Sequence, residues 1–197
     1  QEYYYRHFCF VDSFGAYRNI GICYNGLILV GMSVETERKF LVTGSFRECV
    51  TSTYHIVQGY LCGDATRSVR VRIRNTEAFL TIKGPSSPDG LSRFEWEQRL
   101  DPKDAYRMLA FCLPGVVDKH RYLVPYEGHV FEVDEFHGSN EGLVIAEVEL
   151  SDANEEVLLP PFLGKEVTGD ERYYNARLSV CPFSEWKEED NKDASHF

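Results

Sequence analysis

Glu35, Glu37 and Lys39 stand at alternate positions of the stretch VETERKFL, residues 34–41. In an extended chain, side chains at i, i+2 and i+4 share a face. This segment therefore presents two carboxylates and an ammonium on one side, with Phe40 on the other. The pattern recurs. Arg70, Arg72 and Arg74 alternate with Val69, Val71 and Ile73, and Lys83 lies on one face with Thr81. Glu95, Glu97 and Arg99 alternate with Phe94, Trp96 and Gln98. Lys119 and Arg121 are two apart, as are Glu132 and Asp134, and Glu147 and Glu149. Carboxylates converging from several strands could hold Mg2+ or Mn2+, which prefer oxygen ligands. Arginines and lysines spaced by two could clamp phosphate oxygens, where a guanidinium gives bidentate contacts.

The elements that must carry these residues are strands. Period-2 segments are expected near 33–41, 54–62, 67–75, 78–84, 92–100, 116–125, 129–136 and 143–151. Turn residues separate them, among them Asn75-Thr76-Glu77, the GPSSPDG loop at 84–90 and Glu127-Gly128. Such short links favour antiparallel pairing, since parallel crossovers need a dozen or more residues. Asp101-Pro102 opens the clearest helix, with Asp as cap and Pro at the first helical position. Shorter helices are expected near 44–52 and 170–178. The class is α+β.

Two architectures satisfy the charge pattern. An open antiparallel sheet could bury its apolar face and show its charged face to water. Alternatively, eight strands could close into a barrel with a charged, water-filled lumen and helices packed outside. Most charge alternation is solvated surface, which favours the open sheet on pattern alone. Yet doublets of full charge sorted by sign along each strand are costly unless something binds them, so both architectures stay open at this point.

Composition narrows the classes. With 197 residues, 43% of them hydrophobic and 14% aromatic, the chain can bury a sizeable core and does not read as disordered. A net charge of −10 argues against a binder of duplex nucleic acid. Six cysteines without a CxxC spacing argue against a zinc site and read as reduced thiols, hence a cytoplasmic protein. The most apolar early stretch, residues 20–32, contains Asn25 and is too short to span a bilayer. No membrane association is expected.

The ordered motifs resemble those of the CYTH domain, the triphosphate tunnel metalloenzyme superfamily. They are ETERKFLV, QGYL at 58–61, VRVR at 69–72, LTIKG at 80–84, FEWEQRL at 94–100, HRYLV at 120–124, FEVDEFHG at 131–138, AEVEL at 146–150 and LGKEVTGDERYYNARL at 163–178. The resemblance implies a closed eight-stranded antiparallel tunnel that binds triphosphates with a divalent metal. It implies Glu35, Glu37, Asp134, Glu147 and Glu149 as metal ligands. Arg70, Arg72, Lys83, Lys119 and Arg121 would bind phosphate, with Glu95 and Glu97 lining the tunnel either for a second metal or to position water. Lys39 and Tyr60 would be the catalytic pair, with the Lys39 pKa expected to fall among so many cations. The nearest group is the short bacterial type that hydrolyses inorganic tripolyphosphate. Adenylate cyclisation, thiamine triphosphate hydrolysis and non-catalytic polyphosphate binding are the rival readings. The expected partner is a triphosphate small molecule, and the expected state a monomer or homodimer.

Residues 32–182 are thus read as the tunnel domain and 183–197 as an acidic tail. Residues 1–31 are read as an extension, either a structural element or residues ahead of a start at Met32. His120 and His137 are expected to be structural or surface residues, with no Ser, Cys or metal-ligand partner at a recognised spacing.

Overall fold

The computed structural model describes residues 36–63, 67–87 and 91–186 in full, and the backbone alone at 6–11, 17–23, 27–28 and 33–35. Inside the expected extension, β1 (Arg6–Val11), β2 (Tyr17–Cys23) and β3 (Leu27–Ile28) form an antiparallel sheet of their own. The acidic tail beyond Trp186 lies outside the described residues.

Each of the eight expected strands is present. They are β4 (Ser33–Val42), β5 (Ser52–Gly63), β6 (Ser68–Arg74), β7 (Glu77–Ser86), β8 (Ser92–Leu100), β9 (Val117–Tyr126), β10 (His129–Phe136) and β11 (Val144–Glu149). Neighbours run β11-β10-β9-β5-β6-β7-β8-β4, all antiparallel, and β11 then pairs with β4 to close the ring. The result is a closed eight-stranded barrel, and the open-sheet alternative falls. Two tight hairpins follow from local chemistry. Asn75 takes φ 52 between β6 and β7, and Glu127 and Gly128 both take positive φ, 45 and 88, between β9 and β10. Two successive positive φ angles match the right-handed twist of the flanking strands.

A ninth strand, β12 (Leu163–Glu166), also lies against β4. On one edge β4 pairs with β8 through residues 33–36 and then with β12 through Phe40 and Val42. Its other edge pairs with β11 through residues 37–41.

The barrel is sealed by apolar layers that alternate with its charged face. Phe40, Val42, Val124, Phe131, Val133, Ala146 and Val148 pack outside the lumen with Phe162, all at most 5% exposed. Helix α1 (Pro102–Leu109) covers Val71, Ile73 and Ala78 with Ala105, Met108 and Leu109. It starts as expected, the Asp101 carboxylate accepting from the Lys103 amide at 2.8 Å. The expected helix near 44–52 is only a 3-10 turn, Arg47–Cys49, because Phe46 anchors the loop in the outer core and the Val50 backbone is extended. The expected helix near 170–178 divides into a 3-10 turn, Glu171–Tyr173, and α2 (Asn175–Val180).

Past the charged positions, the lumen-side face of several strands turns apolar. Leu41, Val117, Phe136 and Ile145 share parity with Lys39, Lys119, Asp134 and Glu147, and they pack on Leu143, Val167, Tyr173 and Leu178. The C-terminal segment therefore closes this end of the barrel. Burying a Phe or Leu side chain contributes roughly 1.5–3 kcal/mol, so the closure is held by the same force as the core.

Candidate active site

The register brings the sequence-expected cations together. Arg70 lies opposite both Tyr60 and Thr81, and Lys83 lies opposite Glu95. The Arg72 guanidinium donates to Glu97 at 2.7 Å and Arg70 donates to the Thr81 hydroxyl at 3.2 Å. Thr81 in turn donates to Glu97 at 2.8 Å. Lys83 pairs with Glu95 at 2.6 Å. Glu95 and Glu97 thus line the lumen as counter-charges to the arginines and lysines. Arg74 and Arg99 meet instead on Glu77 at the rim, at 2.9 and 3.1 Å.

A second layer gathers the acids. Lys39 donates to Glu147 and lies 3.7 Å from Glu37. Arg121 grips Asp134 with two parallel bonds of 2.7 and 2.6 Å, reaches Glu147 at 2.8 Å and also contacts Glu132. Lys119, 1% exposed, pairs with Asp134 and lies over the Phe136 ring. Glu149 stands opposite Glu37 across β4 and β11. The Glu35 backbone stands opposite Arg93, and its side chain lies outside the described residues.

These neighbours set the protonation states. Burial pulls the Lys39 ammonium down hardest, but Glu147 and Glu37 together outweigh it, so its pKa is raised. The expected fall does not occur, because Glu147 and Glu37 act on Lys39 more strongly than the neighbouring Arg93. Burial pushes the Tyr60 phenol up, with Arg70 and Arg93 pulling partway back. Neither group is therefore poised as a base at neutral pH: Lys39 is a fixed charge and Tyr60 a hydrogen-bond donor. Burial works against the Glu147 carboxylate, yet Lys39, Arg121 and Lys119 hold it well below the usual range. Lys119 goes the other way. Burial drives it down to about 8 despite Asp134.

Between the barrel and α2 lies a cavity of about 530 Å³, lined by Lys39, Tyr60, Arg70 and Lys83. Arg67, Arg93 and Arg177 also line it, and sequence reasoning missed all three. For Arg93 the signal was available, since it shares parity with Glu95 and Glu97 on β8. Its guanidinium reaches Glu37 at 3.4 Å and lies over the Tyr174 ring. Arg67 and Arg177 come from a strand approach and a helix, where alternation carries no information. Six cationic side chains against one carboxylate, Glu171, give this chamber the charge that suits a polyanion.

A cation-lined chamber inside an eight-stranded antiparallel barrel, with carboxylates behind it, has close counterparts. The model of the CYTH domain matches residues 33–175. The chain belongs to the CYTH family. Among its relatives is an "Inorganic triphosphatase" of Acetivibrio thermocellus, 43% identical over 158 residues, which span 80% of this chain and 100% of that protein. Another, an "Inorganic triphosphatase" of Nitrosomonas europaea, is 39% identical over 153 residues, 74% of this chain and 97% of the relative. Among solved structures, the crystal structure of the inorganic triphosphatase NE1496 superposes with a TM-score of 0.56 at 31% identity, covering 74% of this chain and 94% of that one.

CYTH triphosphatases are metal-dependent, and the donor set here can be tested against a divalent ion. Two carboxylate pairs stand directly opposite one another, Glu37 with Glu149 and Glu132 with Glu147. Like charges so placed destabilise a sheet unless cations lie among them; Arg121 bridges the second pair, and Lys39 lies 3.7 Å from Glu37 in the first. All-carboxylate oxygen donors suit Mg2+ or Mn2+. Among the described residues, no three such groups already form a cage. Mg2+ commonly takes one or two carboxylates and completes its shell with water and substrate phosphates, and on those terms the residues fit.

Two further outcomes concern the outer wall. Glu135, of opposite parity to Asp134, lies outside the lumen, held by Arg47 at 2.6 Å and Tyr122 at 2.8 Å. His120 and His137 meet each other, with ring nitrogens 2.7 Å apart. The spacing of seventeen residues hid this pairing, because it arises only when β9 and β10 are in register.

Proposed function

We propose that this CYTH protein hydrolyses inorganic tripolyphosphate inside its barrel, with Mg2+ or Mn2+ held by Glu35, Glu37, Asp134, Glu147 and Glu149. The observation that carries the reading is the segregation of charge in the lumen: a cation-lined chamber of about 530 Å³ backed by a carboxylate layer. Both relatives of 39% and 43% identity are inorganic triphosphatases, which supports the same substrate here.

Phosphoryl transfer needs positioning and charge stabilisation more than covalent help from the protein. Arg70, Arg72, Lys83, Lys119 and Arg121 bind and orient the phosphate oxygens. Lys39, kept as an ammonium by Glu147 and Glu37, stabilises charge that develops on the transferring phosphoryl group. Tyr60, kept as a phenol by burial, donates to a phosphate or leaving oxygen. Glu95 and Glu97 hold Lys83 and Arg72 in place. A bound divalent ion supplies Lewis acidity at the phosphate oxygens.

No helix of the described residues is long and apolar enough to cross a membrane. The thiols of Cys49, Cys62, Cys112 and Cys181 support a cytoplasmic site of action, as a monomer or homodimer.

The test is phosphate release from tripolyphosphate, thiamine triphosphate and ATP, each with Mg2+ or Mn2+, with cyclic AMP measured in parallel. Tripolyphosphate should be turned over fastest, and Lys39→Ala and Glu37→Gln should each abolish release while the protein stays folded. Tight binding of tripolyphosphate without phosphate release by the wild type would refute the reading.

A further inference from the structure

Lys119 is the most deeply buried cation of the lumen, at 1% exposure. An ammonium has three N–H donors and no acceptor, so its position depends on the oxygens around it. Asp134 supplies one, but that carboxylate is shared, since Arg121 already occupies both of its oxygens. A second acceptor comes from outside the barrel. The Asn175 side-chain oxygen receives Lys119 at 3.1 Å. Because lysine can only donate, the contact also fixes the Asn175 amide, with its oxygen on Lys119.

Asn175 is the first residue of α2, and α2 is firmly held. The Asn140 side chain donates to the Leu178 carbonyl at 3.4 Å and accepts from the Phe183 amide at 2.8 Å. Gly115 lies so close beneath the helix that a Cβ there would come within 1.6 Å of the Ser179 carbonyl oxygen. Leu178 and Tyr173 are anchored in the apolar floor. A rigid helix thus presents one amide to Lys119 of β9, and Asn175 also lines the cavity.

We propose that Asn175 is a positioning residue: its amide oxygen holds the Lys119 ammonium where it meets the phosphate chain. This rests on the reading of Lys119 as a phosphate-binding residue. Its loss should weaken substrate binding in ground and transition states alike, which raises KM and leaves kcat nearly unchanged.

The test uses full-length protein labelled with 15N-lysine, the Lys119 ammonium resonance being identified by its absence in Lys119→Arg. Asn175→Ala should shift that resonance or remove it by faster exchange. Asn175→Asp, which keeps an oxygen acceptor, should retain it and serves as the variant that folds if alanine does not. With tripolyphosphate, Asn175→Ala should raise KM about tenfold, the scale of one hydrogen bond to a charged group. An unmoved resonance in Asn175→Ala overturns the proposal, as does a moved resonance with unchanged KM. If the wild type releases no phosphate, the substrate reading falls. The positioning claim is then decided by the resonance and by calorimetric binding of tripolyphosphate, where an unweakened Asn175→Ala overturns it.

Discussion

Asp134 serves two cations and Lys119 serves one carboxylate, so the two halves of this buried pair should not be equivalent. In Asp134→Asn the shape is kept but the charge is lost. Lys119 is left with neutral hydrogen-bond acceptors and only the more distant charge of Glu147, while Arg121 still has Glu132 and Glu147 in direct contact. Stranding a buried charge in this way costs about 3–5 kcal/mol. In Lys119→Met the ammonium goes, yet Asp134 remains doubly bonded to Arg121 at 2.7 and 2.6 Å. One charge-assisted hydrogen bond is then lost, at about 1–2 kcal/mol. For a protein of this size each kcal/mol moves the melting temperature by roughly 2–4 °C, so the two variants should separate by several degrees. Thermal and urea melts in chelator would measure this. The pH dependence offers a second check. Lys119 in the folded protein has its pKa pushed down to about 8 by burial, below its ordinary value of 10.5. Its charge therefore opposes folding at low pH, and that opposition fades as pH rises from about 8 toward the unfolded value. Loss of the Asp134 charge lowers the folded-state pKa of Lys119 further, so the deficit of Asp134→Asn should be full in acid and narrow as pH is raised toward about 8. A Lys119→Met that costs as much as Asp134→Asn would refute the reasoning.

Other outcomes follow from single contacts. Gly115→Ala should destabilise by about 3 kcal/mol or more and disturb α2, because φ is +97 and the new Cβ would collide with the Ser179 carbonyl; chemical denaturation reads this, and a neutral effect would refute the packing. Glu166→Gln should cost under about 1 kcal/mol, since the Arg38–Glu166 bridge is a surface pair, 24% and 40% exposed. The His120 imidazole is held below its ordinary pKa by burial and by His137 and His55. Protonating it therefore costs folding energy, and stability should decline as pH falls below the ordinary histidine range; His120→Gln should flatten that decline in acid melts. Asp118, Glu135, Glu141 and Tyr122 face the same patch and belong in the control set.

Strand alternation was legible because a barrel with a charged inside and an apolar outside imposes period 2 on every strand. That is why β4 through β11 are found within about two residues of their expected bounds, and why most of the cation and carboxylate set meets inside. β12 was not legible. Four residues, Leu163–Glu166, joined to β4 across a register shift, are too short to show alternation. Asn175 and Arg177 escaped because a helix, not a strand, delivers them. The protonation of Lys39 was misjudged for a related reason. Sequence shows which residues share a face, but Glu147, the group that decides its charge, arrives from a strand far along the chain.

That last pairing also governs how the barrel can be assembled. Lys39 and Glu147 lie 108 positions apart, yet they face each other across the seam where β4 meets β11. During synthesis β4 emerges first and its closing partner last. For most of translation, the earliest barrel strand has an edge that only the final strand can satisfy. Contacts of such long sequence separation slow folding, and an unpaired apolar edge invites association with other chains. Charges on an edge strand oppose such association, so the row Glu37 and Lys39, set against β11 in the finished barrel, is also the kind of row that discourages mispairing of β4 while it waits.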